Sequence, residues 1–153
     1  MFSQITQRTT PTTPPFPPRL QLSPECLYPL ARQIFPLQDD FPPTSIAFIG
    51  IPFRVAPFPL FEAQAAVAES VFSNPSRFDI EEEKRLITER RETLMQEVGG
   101  DAALPKVWHK MDNGEEFRYR RELFDYAGVT DWKVEDWIVA AYNYKVILRT
   151  EWR

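Results

Sequence analysis

The sequence has one cysteine, one histidine and five glycines in 153 residues, and each scarcity removes a class of protein. With Cys26 alone no intrachain disulfide framework can form, and a reducing, cytoplasmic setting is the expectation. With His109 as the sole histidine, a zinc site would need carboxylates for nearly all its ligands, against that metal's preference for nitrogen and sulfur. No metal or other cofactor is expected. The few glycines form neither GxGxxG nor GxxxxGK[ST], and HExxH and GxSxG are also missing. The longest apolar run, Ile46 to Phe53, is about eight residues, well short of the roughly 20 that span a bilayer. The N-terminus shows no basic segment followed by an apolar one, so no secretory leader is read. Basic charge is not in excess either: 18 Lys+Arg stand against 22 Asp+Glu, a net charge of -4. That balance disfavours a nucleic-acid partner.

What is present is unevenly spread. Fourteen of the 15 prolines precede residue 76 and ten of the 12 phenylalanines precede Asp79, while all four tryptophans and most of the charge follow. Residues 1 to 23 are rich in Thr and Pro, and proline's fixed φ and missing donor exclude a helix there. An extended, polyproline-like arm is expected. A short helix over 24–35 is predicted from Ser23 as cap and Pro24 at the first turn, with Leu27, Leu30, Ala31 and Ile34 on one face. Ser45 to Ile49 reads as a buried strand. The alanine-rich stretch Phe61 to Phe72 reads as a buried helix facing inward through Phe61, Ala65, Ala68 and Phe72.

Asp79 caps the clearest helix, which runs to Val98 and stops at Gly99-Gly100. Its apolar stripe of Ile80, Ile87, Leu94 and Val98 is narrow and interrupted by Glu83, Lys84 and Arg91, so the helix is expected on the surface or toward a partner. For the next segment, a hairpin turning at Asn113-Gly114 competes with a helix capped by Asp112 and stopped at Gly128. The helix is preferred for the broad apolar side of Phe117, Tyr119, Leu123, Phe124 and Tyr126. A last helix from Thr130 or Asp131 would share Val134, Trp137, Ile138, Ala141, Tyr144, Leu148 and Trp152 on one face. Past Tyr142 the pattern also alternates with period two and fits a strand equally well.

Three patterns carry functional readings. Leu123 to Ile138 resembles a helix-turn-helix unit, with Gly128 at the turn. Phe124 sits where a small residue is usual, and the second helix offers Asp131, Glu135 and Asp136 outward, which phosphate would repel. Arg118, Arg120 and Arg121 are the nearby basic cluster. Pro14 to Arg19 has PxxPxR spacing, in which Phe16, Pro17 and Arg19 would meet an aromatic, acidic groove. His109 is the one side chain that ordinarily titrates near neutrality.

The expectation is therefore a mainly α domain (α+β possible), with one or two short strands, over 44–153, preceded by an extended Pro-rich arm over 1–43. No catalytic or metal-binding residue is assigned. The function expected is a non-catalytic interaction, assembly or scaffold subunit with a protein partner or a second copy of itself. Phe16, Pro17, Arg19, Arg118, Arg120, Arg121 and Trp132 are the candidate partner-binding residues. A DNA-binding regulator using 123–138 and a small acid-base enzyme around His109 are the alternatives.

Overall fold

The computed structural model describes residues 16–112, 114–133 and 136–151. These are mainly α: five helices, α1 (Pro57–Ser73), α2 (Ile80–Val98), α3 (Leu104–Val107), α4 (Glu115–Ala127) and α5 (Asp136–Glu151). Two antiparallel two-stranded ribbons precede them. In the first, β1 (Gln21–Leu22) pairs with β2 (Leu27–Tyr28), and in the second, β3 (Leu30–Ala31) pairs with β4 (Phe35–Pro36).

The ribbons occupy the stretch where a helix over 24–35 was expected, and the proline spacing explains the difference. Pro24, Pro29 and Pro36 each lack a donor, and Pro29 would interrupt any helix at its centre. The same apolar residues reach the interior by another route: Leu30, Ala31, Ile34, Phe35 and Leu37 are all buried with the helices. The core thus has members on both sides of residue 43. Ser45 to Ile49 does not form a strand either. Pro43–Ser45 is a single 3-10 turn, and the following chain is extended, joined to the β3–β4 loop by the bond from Phe48 N–H to Ile34 C=O at 2.8 Å.

Helix α1 starts four residues before Phe61, with Pro57 at the first turn where its missing N–H costs nothing. This extension shows that the inward face is not the phenylalanine one. Leu60, Ala63, Gln64, Val67, Ala68 and Val71 are buried, whereas Phe61 and Phe72 are 38% and 47% exposed. The stripe of small aliphatics packs against Tyr119, Leu123 and Phe124 of α4, its main helical neighbour. Phe61 instead lies over Gly50, where an added Cβ would stand 2.7 Å from its ring.

Helix α2 begins as expected, Asp79 accepting the N–H bonds of Glu81 and Glu82 at 3.0 and 3.2 Å, and it ends at Gly99. Its buried stripe is Glu83, Ile87 and Leu94, so the helix belongs to the core and one of its interrupting charges lies inside it. Helix α4 starts at Glu115 and stops at Gly128, which resolves the choice between hairpin and helix; Asn113 lies outside the described residues. Helix α5 continues through Glu151, so the helical alternative past Tyr142 holds. Its orientation differs from the expected one. Trp137 and Tyr144 are 69% and 62% exposed, while Ile138 and Tyr142 are half-buried and Tyr142 meets Phe117 edge-on at 5.4 Å. Val134, Trp152 and the side chain of Leu148 lie outside the described set.

Gly50 and Gly99 separate conformational strain from steric strain. Both have positive φ, +83° and +74°, but nothing lies within 4 Å of a Cβ at Gly99. Gly99→Ala is expected to cost about 1 kcal/mol for the left-handed backbone. Gly50→Ala should cost about 2–4 kcal/mol, since Phe61 must also move; urea unfolding of both variants measures the difference.

Candidate functional site

The loop between β3 and β4 holds two adjacent non-glycine residues in a left-handed conformation. Arg32 and Gln33 both have positive φ, 50° and 56°, a conformation costing an L-residue roughly 1–2 kcal/mol each. The turn sends two polar side chains into the helical core, where they meet partners from across the sequence. The Arg32 Nε–H donates to Glu83 Oε1 at 2.7 Å, and the guanidinium carbon lies 3.7 Å from the ring centroid of Tyr126. Gln33 Oε1 bonds His109 Nδ1, and the carbonyl of Arg32 accepts from the Tyr119 hydroxyl at 2.6 Å.

Around this turn the polar groups connect into one hub. Gln64, fully buried on α1, donates to the Tyr119 oxygen at 3.1 Å and accepts the Gly50 N–H at 2.8 Å. Arg90 bridges Glu115 at 2.7 Å and the Trp108 carbonyl at 3.0 Å. Glu116, also buried, accepts the N–H of Ala56 at 2.7 Å and so ties α4 to the start of α1. A cavity of about 190 Å³ lies within the hub, lined by Arg32, Glu83, Arg90, Trp108 and Tyr119 among others. Glu83 Oε2 and Arg90 Nε have no hydrogen-bond partner among the described residues.

His109 is a structural member of this hub. Its ring is 4% exposed; Nδ1 faces Gln33, and Nε2 accepts the N–H of Leu27 at 3.0 Å. Accepting at Nε2 requires the neutral ring, with the proton on Nδ1. Burial, helped by the Arg90 charge, pulls its pKa down to about 4. Both nitrogens are committed to holding the β2 backbone and the turn. The open groove of about 890 Å³ that His109 lines is mostly apolar, with Glu25 its sole carboxylate among the described residues. Cys26 lines the same groove, and burial raises its thiol to about 11, which keeps it protonated.

The residues singled out from the sequence fall into separate surroundings. Phe16 stacks on Tyr28 at 6.3 Å and packs against the core, and Pro17 sits beside it in the same cleft. Arg19 makes an exposed pair with Asp40 at 3.2 Å. Pro14 and Pro15 of the PxxPxR spacing lie outside the described residues. The three α4 arginines do not share a face: Arg118 and Arg121 are exposed, but Arg120 is 4% exposed, lying over Trp132 at 5.3 Å and Phe117 at 5.8 Å. Trp132 is half-buried and stacks on Phe124 at 4.5 Å. Between α4 and α5, residues 128–133 are non-helical, a longer connection than a helix-turn-helix turn.

Sequence reasoning did not place Arg32, Gln33, Gln64, Glu83 or Tyr119 together. Two clues were there: Glu83 interrupts the apolar stripe of its helix, and Gln64 is the lone amide in an alanine-rich one.

Three comparisons with known proteins frame this geometry. No protein-family profile matches the chain, and no solved structure matches it significantly. Among curated proteins it is similar to the flavin-containing monooxygenase FMO GS-OX-like 2 of Arabidopsis thaliana, at 31% identity over 104 residues, covering 61% of this chain. The chain spans 21% of that relative's length.

Two measurements probe the hub. Because the folded pKa of His109, about 4, lies below the ordinary 6.5, the unfolded chain binds the proton first on acidification. The histidine's contribution is complete above about pH 6.5 and is expected to fall progressively toward pH 4. His109→Gln should be less stable at neutrality yet lose less further stability over that window, as followed by urea midpoints at each pH. Arg32→Met should cost about 3–5 kcal/mol by stranding the Glu83 carboxylate. Adding Glu83→Met should recover most of that loss in a double-mutant cycle.

Proposed function

We propose that this chain is a non-catalytic interaction lobe of a flavin-dependent monooxygenase assembly, and that it docks against a body bearing the dinucleotide-binding loops. The observation that carries the reading is the 31% identity to a flavin-containing monooxygenase over most of the chain. The sequence itself has no glycine-rich dinucleotide loop, so flavin and nicotinamide chemistry would have to come from that body, on the same polypeptide or another.

The docking face favoured is the stretch 46–61. Ile46, Ile49, Phe53 and Phe61 are each 38–43% exposed there, and Phe58 is 82% exposed in the first turn of α1. Phe58 and Phe61 meet edge-on at 6.5 Å, and Phe53 borders the apolar groove beside Ile51 and Leu22. Large apolar side chains grouped at a surface are the usual mark of an interface. This moves the interaction reading away from the Pro-rich arm, because the described part of the arm packs on its own domain through Phe16. An assembly subunit with a flavin-free partner would use the same face and is the second reading. DNA binding has less support, since Arg120 is turned inward and α5 opens with Asp136.

Flavin decides between the two leading readings. Material purified under native conditions with an antibody against this chain is expected to release FAD on acid treatment in about equimolar amount, and flavin-free material would reject the monooxygenase reading. Phe58→Asp should weaken retention of the flavin-bearing body by at least about tenfold, with the thermal unfolding of the isolated chain unchanged.

A further inference from the structure

Trp108 lines the hub cavity and also a separate cleft of about 560 Å³, a volume typical of small-ligand sites. One end of this cleft is aromatic. Phe16 and Tyr28 are stacked at 6.3 Å with 23° between their planes, and Tyr28 meets Trp108 edge-on at 5.0 Å. Leu104 of α3 also lines the cleft. Such a corner takes a flat apolar group through stacking and edge contacts.

The polar end carries donors. Arg91 of α2 is mostly buried, its side chain 17% exposed, and it pairs with Asp101 at 2.5 Å, a carboxylate 65% exposed at the rim. Its positive charge reaches the Tyr28 phenol, whose pKa burial raises and Arg91 lowers. Asp101 is the one carboxylate in the lining among the described residues, and it is held only at the surface. A cationic ligand would meet Arg91, and a phosphate dianion would find one guanidinium in a largely apolar cleft. A singly charged planar acceptor matches both ends.

We infer that the cleft binds a small aromatic carboxylate, its ring against Phe16, Tyr28 and Trp108 and its carboxylate replacing Asp101 on the Arg91 guanidinium. A planar carboxylate forms the strong two-pronged pair that arginine favours. The site is independent of the monooxygenase relationship and needs no flavin.

The test is titration of the whole chain with phenylacetate, followed by two-dimensional NMR of the Trp108 indole and Leu104 amide, with phenylacetamide and benzylamine as neutral and cationic counterparts. Phenylacetate is expected to shift both resonances saturably, and the other two should bind at least about tenfold more weakly. Arg91→Gln should weaken phenylacetate about tenfold or more. Asp101→Asn should tighten it several-fold, since the competing carboxylate is gone. Equal affinity for phenylacetate and phenylacetamide, absence of a saturable shift, or weaker binding by Asp101→Asn would each overturn the assignment. Asp101 is exposed, so that variant carries the test even if Arg91→Gln fails to fold.

Discussion

The left-handed turn at Arg32 and Gln33 is the constraint on which the rest of the structure depends. Two consecutive residues with positive φ are costly outside glycine, and they persist where the surroundings over-determine them. Here they are held by four elements at once: Glu83 from α2, the segment carrying His109, Gln64 from α1 through the Gln33 carbonyl at a long 3.5 Å, and Tyr119 from α4. Helices that already pack on the ribbon through the apolar core are thereby also tied to it by directional polar bonds. In a low-dielectric interior such a network specifies one arrangement more sharply than apolar packing alone.

The turn also explains how a proline-rich, apolar half and a charged, helical half form a single core. The prolines keep the chain ahead of α1 from satisfying its backbone in a helix, so its polar groups need partners elsewhere. Several come from the second half: the His109 ring for Leu27, Glu116 for Ala56, and the backbone around His109 and Met111 for Phe53. In return the extended segment supplies Ala31, Ile34, Phe35 and Leu37, which sit in the core with Val67, Ile87 and Leu123. Charge that interrupts the stripe of α2 is thus accounted for. Glu83 faces Arg32, Arg91 pairs with Asp101, and Lys84 makes a short-range pair with Glu81, which adds little.

The helices were legible wherever local chemistry decides. The Asp79 cap, the Gly99 and Gly128 stops and the long periodic stretches act over one or two turns, and α2, α4 and the mainly α class could be read from them. The ribbons were not legible. Leu27, Leu30, Ala31 and Ile34 have helical spacing; Pro29 opposes a helix there, but no local signal reports the long-range contact of Gln33 with His109 that shapes the turn. The inward face of α1 was misread for a related reason. Its phenylalanines are larger, but close approach to α4 favours Ala63, Val67 and Val71, and Phe61 is drawn outward to Gly50. The hub itself links residues as far apart as 87 positions, Tyr119 to Arg32, a separation no periodicity reports.

The two surfaces proposed above to receive a partner and a ligand are both mounted on this hub. Phe53, on the exposed apolar stretch, is paired by its backbone to His109 and Met111, while Trp108, the inner wall of the aromatic cleft, precedes His109 in the chain and is held through its carbonyl by Arg90. Tyr28, the third ring of the cleft, follows Leu27, whose N–H is bound by the same histidine. Any shift of His109 would therefore displace the apolar face and the cleft together. The neutral, doubly bonded imidazole makes that shift costly across the neutral range, because moving it leaves the Leu27 donor and the Gln33 acceptor unpaired in a buried site. His109 thus serves here as a rigid coupling between two surfaces, a role that requires the same low pKa that keeps it from exchanging protons near neutrality.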